Sequence, residues 1–224
     1  MITVGAVKKI LLVLVISMIS CGSANLDSDI AKVSYGIGTQ FANDMKNRGF
    51  ELDMKAFNQA VEDVLKGRES RVTEADIRVA FQKVSEELMK KAMARAEENA
   101  KAGQEYLKKN SKKEGVKVTA SGLQYRVLKE GSGASPMSTS RVKVHYKGAL
   151  IDGKEFDSSY KRNQPVEFKL DEVIAGWTEG LQLMKPGAKY EFTIPSELGY
   201  GDRDNNAIPG NSVLVFEVEL LEVK

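Results

Sequence analysis

Residue types that most often carry out chemistry are scarce in this chain. Its 224 residues include one cysteine, Cys21, and one histidine, His145. A single chain therefore has no disulfide and no Cys/His metal cluster, so chemistry based on zinc, haem or an iron–sulfur cluster is not expected. His145 alternates away from Val144 and Tyr146 in a predicted strand, and it is interpreted as structural rather than as a base.

The polar residues around position 157 also suggest little chemistry when they are taken alone. Asp157 and Arg162 are five residues apart in a predicted loop, which is typical of a surface ion pair worth under about 1 kcal/mol. Ser158 and Ser159 are better explained by loop capping than by nucleophilic attack. These residues by themselves predict no covalent reaction.

Composition excludes several further classes of function. The chain is 42% hydrophobic and 29% charged, as in ordinary soluble globular proteins. Its formal net charge is +2, and the only charges in residues 1–20 are Lys8 and Lys9, so the remainder is neutral. This balance does not favour binding to nucleic acid or to an anionic surface. The length exceeds the usual single domain of about 100 to 150 residues, which favours two parts.

The first half carries apolar residues at intervals of three and four, which indicates amphipathic helices. Such segments run from Asp29 to about Asn47, from the N-cap Asp53 to Gly67, and from the N-cap Thr73 onward. The third continues to Asn110, and after Leu88 it is a polar tract with little to bury. A helix that is polar nearly all round usually bridges parts of a protein through solvent. The earlier residues, 27–88, are interpreted as a small helical bundle whose core is marginal without a partner.

The second half alternates between apolar and polar residues, which indicates half-buried antiparallel strands. The alternating runs are Leu123 to Val127, Val142 to Tyr146, Tyr190 to Ile194 and Leu214 to Leu220. Asp152-Gly153 indicates a hairpin, and the stretch around Val173 to Met184 indicates a helix. The predicted class is α+β, with one curved antiparallel sheet wrapped on one short helix.

Five strings in this half together carry a specific resemblance. They are Val144-His145-Tyr146-Lys147-Gly148, Asp152-Gly153-Lys154-Glu155-Phe156-Asp157-Ser158-Ser159, Val173-Ile174-Ala175-Gly176-Trp177, Gly199-Tyr200-Gly201 and Leu214-Val215-Phe216. In this order they resemble the FK506-binding (FKBP) family of peptidyl-prolyl cis/trans isomerases, over about Thr119 to Lys224.

The resemblance implies an activity that needs neither a nucleophile nor a cofactor. Such enzymes accelerate rotation about X-Pro bonds in polypeptides, where the barrier is the loss of amide resonance. The enzyme has only to favour the twisted amide over both planar forms. The family's apolar pocket also implies binding of macrolides such as FK506 and rapamycin.

The resemblance also implies site residues. The implied pocket lining is Tyr146, Phe156, Val166, Val173, Ile174, Trp177, Tyr200, Ile208 and Phe216, and Arg162 is implied as a further substrate-binding residue. Trp177 is expected at the floor beneath the proline ring, with the Ile174 N–H and the Tyr200 hydroxyl as donors to substrate carbonyls. Asp157 is expected beside the twisting amide, either as an electrostatic group or as the residue that holds Tyr146 and Arg162.

Other interpretations of these residues stand beside the resemblance. Without it, Trp177 and Phe216 would be taken as core residues, because large aromatic side chains mostly fill cores. Val166 stands where many eukaryotic members carry Phe, which is expected to widen the pocket and lower macrolide affinity. The short polar loop from Asp202 to Asn206 replaces a stretch that overhangs the site in some members.

The N-terminal half is similar in arrangement to the dimerising region of the bacterial Mip, FkpA and FKBP22-like group. The similarity implies a homodimer that forms through the N-terminal helices. The predicted division is a signal peptide at 1–20, a helical dimerisation domain at 27–88, a long connecting helix at 89–112 and an isomerase domain at 113–224.

The N-terminus indicates export. Lys8-Lys9 precede the apolar run from Ile10 to Ile16, which is too short to span a bilayer and is typical of a signal peptide. Met18-Ile19-Ser20-Cys21 resembles a lipobox, in which Cys21 would be lipidated. The alternative is cleavage after Gly22-Ser23-Ala24. We therefore expect a periplasmic protein or an outer-membrane lipoprotein that meets the membrane only through its lipid.

The predicted function is an isomerase that assists the folding of exported, proline-containing polypeptides, with chaperone activity in addition. The alternative is a non-catalytic holdase or surface binding protein with a degenerate pocket.

Overall fold

The computed structural model describes residues 24–205 and 207–224, which divide between Asp44 and Met45 into two compact units. The predicted signal peptide and Cys21 lie outside the described residues. The described residues form three α-helices, then an antiparallel sheet with a fourth helix inserted in it. The predicted α+β class, with helices first and an antiparallel sheet after, is confirmed. None of the helices described in residues 24–205 and 207–224 is long and apolar enough to cross a bilayer.

The three N-terminal helices match the predicted segments closely. They are α1 at Asp29–Asn47, α2 at Met54–Leu65 and α3 at Glu74–Asn110. The Asp53 carboxylate caps α2 by accepting from the N–H groups of Lys55 and Ala56 at 2.9 and 3.0 Å. The Thr73 hydroxyl accepts from the Asp76 N–H at 3.1 Å at the start of α3. The boundaries therefore follow local capping chemistry.

The last four turns of α3 pack against the β-rich half, which corrects the interpretation of a polar helix that crosses solvent with little to bury. Ala96, Gly103 and Asn110 are all buried, and they lie seven residues, about two turns, apart on one face. The Asn110 amide donates to the side chains of Gln124 at 3.0 Å and Thr193 at 3.2 Å. This face is made of small and polar side chains, so hydrophobic periodicity did not reveal it.

The sheet has seven antiparallel strands. They are β1 Val116–Val118, β2 Gln124–Lys129, β3 Arg141–Leu150, β4 Glu155–Ser158, β5 Val166–Lys169, β6 Lys189–Ile194 and β7 Leu214–Val223. Their order is β1-β2-β6-β7-β3-β4, and β5 also pairs with β3. Strands β1 and β5 were not predicted, because three or four residues give too short a run for alternation to be recognised.

One edge of β3 is shared between two short strands. It pairs with β5 over residues 141–144 and with β4 over residues 147–149. Ser159 closes the gap between them: its hydroxyl accepts from the Tyr146 N–H at 2.8 Å, and its N–H donates to the Tyr146 carbonyl at 3.0 Å. Ser159 is fully buried, so its hydroxyl serves the sheet.

The remaining helix, α4, spans Ala175–Leu181 and packs its Trp177 and Leu181 side chains into the core. It is shorter than the predicted stretch, since Ile174 precedes it with an extended backbone (φ −59°, ψ 147°). The core continues across inward-facing residues of the sheet, including Phe192, Ile194 and Leu214, which are completely buried.

Candidate active site

A cavity of about 490 Å³ lies beside α4 and is bounded by strands and loops of the β-rich half. Most of its lining is aromatic or aliphatic. The lining residues are Tyr146, Phe156, Asp157, Phe168, Glu172, Val173, Ile174, Trp177, Tyr200, Asn205, Ala207, Ile208 and Phe216.

Trp177 is the centre of the aromatic packing. Its ring meets those of Tyr146, Phe168 and Phe216 edge to face, with centroids 5.2, 5.4 and 5.3 Å apart and interplanar angles of 86°, 84° and 79°. Phe156 packs in the same way on Phe216, at 5.5 Å and 83°. Each edge-to-face pair favours one ring orientation, so the walls hold a defined shape.

The backbone around Trp177 fixes its place in the first turn of α4. Its N–H donates to the Ile174 carbonyl at 2.9 Å, and the Thr178 hydroxyl donates to the Leu170 carbonyl at 2.5 Å. Trp177 is only 4% exposed, and its indole N–H has no hydrogen-bond partner in the described part of the chain. The first turn of α4 therefore holds the Trp177 ring in place at the cavity.

Asp157 is a carboxylate with both oxygens engaged. The Tyr146 hydroxyl donates to one oxygen, and the Arg162 guanidinium donates to the other. The guanidinium also donates to the Tyr146 hydroxyl at 3.0 Å, which closes a ring of three side chains. This arrangement leaves Asp157 poorly placed to act as a general base.

The pKa values of these three side chains also argue against Asp157 as a general base. Burial raises the pKa of the Asp157 carboxyl, but the hydrogen bonds from Arg162 and Tyr146 outweigh burial and hold the pKa below its ordinary value. Burial, together with the bond to Asp157, raises the pKa of the Tyr146 hydroxyl. At neutral pH the carboxylate is charged and the phenol is protonated.

Two hydrogen-bond donors at the cavity have no protein acceptor among the described residues, namely the Ile174 N–H and the Tyr200 hydroxyl. Burial and then the nearby charge of Asp157 raise the pKa of Tyr200, so its hydroxyl stays protonated. Both groups can donate to carbonyl oxygens of a bound peptide.

The structure brings the predicted pocket residues together, with two exceptions. Arg162 does not line the cavity but reaches it through Asp157. Val166 does not line it either: it pairs with Val144 and packs on the core, while Phe168 on the same face of β5 contacts Trp177. The alternation of residues 166 and 168 is the signal that could have identified Phe168.

Sequence reasoning also missed Glu172, Asn205 and Ala207 at the cavity. The last two lie in a loop with no periodic pattern, so only the folded chain reveals them. His145 lies elsewhere: its Nδ1 is 2.9 Å from the Ser159 hydroxyl, and its ring stacks on Tyr160 with centroids 4.7 Å apart. Among the described residues, no group of three or more His, Cys, Asp and Glu side chains is arranged to hold a metal ion.

Comparison with known protein families gives two matches that together cover most of the chain. The model of FKBP-type peptidyl-prolyl cis-trans isomerases matches residues 133–221. The model of the domain amino-terminal to that isomerase matches residues 30–127.

Individual relatives extend this similarity over nearly the full length. The chain is 46% identical over 199 residues to the FKBP-type isomerase FkpA of Aeromonas hydrophila, covering 86% of this chain and 74% of that one. It is equally identical to the FKBP-type 22 kDa isomerase of Escherichia coli K12, covering 88% and 97%. The crystal structure of FkpA from Escherichia coli superimposes with a TM-score of 0.62 at 39% identity, covering 88% of this chain and 98% of that one.

Proposed function

The chain belongs to the FKBP-type peptidyl-prolyl cis-trans isomerase family, and on that premise we propose that its aromatic cavity twists X-Pro bonds of exported polypeptides. The observation that carries the proposal is a largely aromatic and aliphatic cavity whose carboxylate, Asp157, is already held by two side chains. Such a cavity supports catalysis by differential binding and offers no free nucleophile. The alternative of a degenerate pocket has no support in this lining.

The cavity accounts for catalysis through the electronic structure of the amide. Rotation about an X-Pro bond meets a barrier of about 18 to 20 kcal/mol, because the twisted amide loses resonance. Resonance makes the planar amide the more polar form, so removing water weakens the planar form relative to the twisted one. Binding that is stronger for the twisted form lowers the barrier.

Each polar group then has a defined role in the proposal. The proline ring rests on Trp177, and the Ile174 N–H and the Tyr200 hydroxyl donate to carbonyls on the two sides of the twisting bond. Asp157 acts by holding Tyr146 and Arg162 in place, since both its oxygens are engaged. Macrolides of the FK506 and rapamycin type would bind the same cavity as competitors of the peptide.

The experiment is cis/trans exchange in an X-Pro tetrapeptide, measured by NMR with the full chain. Asp157→Ala is compared with Asp152→Ala, which removes an exposed carboxylate from the turn between β3 and β4. The protein is expected to accelerate exchange, with a loss in the Asp157 variant alone. No acceleration by the unsubstituted protein would end the proposal.

A homodimer formed through the N-terminal helices is part of the proposal. Ile30, Val33 and Ile37 follow one face of α1 and are 81%, 62% and 64% exposed. An apolar stripe of this kind needs a partner, and a second copy supplies a matching one. Sedimentation velocity tests this: Ile37→Asp should yield monomers, whereas Thr39→Asp, on the opposite face of the same helix, should leave a dimer.

Export and lipidation at Cys21 are supported by the sequence, because Lys8-Lys9 and the following apolar run precede that cysteine. Detergent phase partitioning of the native protein checks the lipid. The unsubstituted protein should enter the detergent phase and Cys21→Ser should not. Recovery of both proteins in the aqueous phase would refute lipidation while leaving export possible.

Chaperone activity is the remaining part of the proposal, since paired helical arms would offer apolar surface to unfolded clients. It is measured as suppression of aggregation of a denatured protein that lacks proline. Phe156→Ala should suppress aggregation as well as the unsubstituted protein does, because the pocket is not needed. Ile37→Asp should suppress it less.

A further inference from the structure

The last four turns of α3 contact the loop that forms one wall of the cavity. We call residues 202–205 and 207–211 the pocket loop. Arg95 forms an ion pair with Asp204, and the Asn99 amide donates to the Gly210 carbonyl at 3.0 Å. The Asn211 amide donates back to the Ala96 carbonyl at 3.2 Å. Helix α3 therefore contacts the pocket loop through three residues, Arg95, Ala96 and Asn99, which lie within about one and a half turns.

The opposite side of the same loop faces the cavity. Asn205, Ala207 and Ile208 line it, and Ile208 is only 7% exposed. Asn205 and Ile208 exchange two backbone hydrogen bonds of 2.8 and 2.9 Å, which makes the tip a tight turn. The wall residue Asn205 is thus the immediate neighbour of Asp204, which α3 holds.

The base of the loop is closed by hydrogen bonds as well. The Asn211 N–H donates to the Gly201 carbonyl at 2.8 Å, and the Gly210 N–H donates to the Asp204 carboxylate at 2.8 Å. Asp204 therefore joins both limbs of the loop and also the helix. We expect a change in any of these contacts to alter the position of the tip.

The helix face is shaped for close contact with this region. A Cβ atom at Gly103 would lie 2.8 Å from Cγ2 of Val213, which is closer than such atoms approach in proteins. Only glycine permits this separation. Ala96, which is buried two turns earlier on the same face of α3, also has a small side chain. The close fit and the polar contacts at Arg95 and Asn99 act on the same short segment.

We infer that Arg95 and Asn99 of α3 are positioning residues for the isomerase cavity, holding the pocket loop so that Ile208 and Asn205 complete the wall. The inference rests on the proposed isomerase activity and extends it to residues outside the β-rich half. Without the two contacts the loop would sample other conformations. The apparent affinity for peptide would then be the affinity of the complete cavity multiplied by the fraction of time that the wall is in place. The effect belongs in KM, since the loop carries none of the groups that hold the twisted amide.

The test uses the full chain and a short X-Pro tetrapeptide, which is too small to engage the helical arms. Asn99→Leu removes the donor at similar size, and Arg95→Asp reverses the ion pair. Arg95→Lys keeps the positive charge opposite Asp204 and leaves the bond from the Gly210 N–H to Asp204 in place. Lys101→Asp is the matched control, because Lys101 forms an exposed ion pair with Glu97 on the same helix. Both kinetics and the Ile208 methyl signal in a 13C NMR spectrum are recorded.

We expect Asn99→Leu and Arg95→Asp each to raise KM roughly three- to tenfold with kcat changed by less than about twofold, and to shift the Ile208 methyl signal. Arg95→Lys should change both far less than Arg95→Asp does, and Lys101→Asp should alter neither. An unchanged KM in Asn99→Leu and Arg95→Asp overturns the inference, whether or not the methyl signal moves. The exposed charge-reversal variants decide the matter if Asn99→Leu does not fold. If the unsubstituted protein fails to accelerate exchange, the proposed function fails, whereas the methyl signal still decides whether α3 positions the wall.

Discussion

The Tyr146 hydroxyl donates a hydrogen bond to the Asp157 carboxylate across the β3–β4 pair. Arg162 donates to both groups, so the carboxylate is shared between a phenol and a guanidinium. The relationship makes Asp157 a charged acceptor that orders its neighbours. It also sets how the activity should respond to pH.

Catalysis is expected to be independent of pH across the neutral range. The pKa of Asp157 lies below its ordinary 3.8, and the pKa of Tyr146 lies above its ordinary 10.0. Between about pH 5 and 9 neither group changes charge, so kcat/KM should stay flat. As the pH falls through the lowered pKa of Asp157, the carboxylate protonates and kcat/KM should decline. Asp157→Asn should lack this acid limb, and a controlling pKa between 6 and 8 would contradict the assignment.

Gly148 is expected to set the shape of the aromatic wall. A Cβ atom at this position would lie 2.6 Å from Cε1 of Phe216 and 2.7 Å from Cε2 of Phe156. Gly148→Ala should therefore displace both rings, at an overpacking cost of about 1 to 3 kcal/mol, and lower kcat/KM. Gly36→Ala is the control, since beyond the adjoining residues and backbone of its own helix nothing lies within 4 Å of a Cβ there. Full activity in Gly148→Ala would show that the rings can move without consequence.

Much of the architecture could be predicted from local signals, because caps and periodicity act over a few residues. Asp53 and Thr73 start their helices by accepting backbone hydrogen bonds, and the alternating runs gave the longer strands. The docking of α3 could not be predicted in this way. It depends on Gly103 meeting Val213, more than a hundred residues later, and a glycine carries no hydrophobic signal.

The residues that line the cavity also fall into two groups, those that could be predicted from the sequence and those that could not. Residues within strings, such as Phe156 and Trp177, could be assigned by resemblance to a family, and the structure places both at the cavity. Asn205 and Ala207 could not, because a polar loop is shaped by what it packs on. Their position follows from the contacts of the pocket loop with α3, which only the folded chain brings together.

Ser159 is expected to stabilise the β-rich half without taking part in catalysis. Its buried hydroxyl accepts from the Tyr146 N–H at the gap between β4 and β5. Ser159→Ala leaves that N–H unpaired, which should lower the free energy of unfolding by about 1 to 3 kcal/mol. Guanidinium unfolding followed by fluorescence of Trp177, the chain's one tryptophan, reports on this half. Ser132→Ala, an exposed serine, should have little effect, and equal stability of the two variants would refute the role.

Asp63 is expected to stabilise the turn between α2 and α3 in a pH-dependent way. Hydrogen bonds from Arg71 and then Arg68, opposed by burial, lower the pKa of this carboxyl to about 2. Because the folded pKa lies below the ordinary value, the stabilisation is present above about pH 4 and is lost as the pH falls toward 2. Asp63→Asn should therefore speed amide hydrogen exchange in α2 at neutral pH but not near pH 2.

The control for Asp63 is Glu62→Gln, because Glu62 forms an exposed ion pair with Lys66. Exposed pairs contribute little to stability, so this variant should exchange like the unsubstituted protein. An equal effect of the two substitutions at neutral pH would mean that the burial of Asp63 is unimportant.

The most direct test of the central claim compares the aromatic wall with the chain's one imidazole. NMR exchange in an X-Pro tetrapeptide is measured for the full chain, Phe156→Ala and His145→Phe, the last of which keeps an aromatic ring against Tyr160. If the cavity acts by favouring the twisted amide, Phe156→Ala should lower kcat/KM about tenfold or more, while His145→Phe should stay within about twofold of the unsubstituted protein. Full activity in Phe156→Ala, together with loss of activity in His145→Phe, would contradict the account.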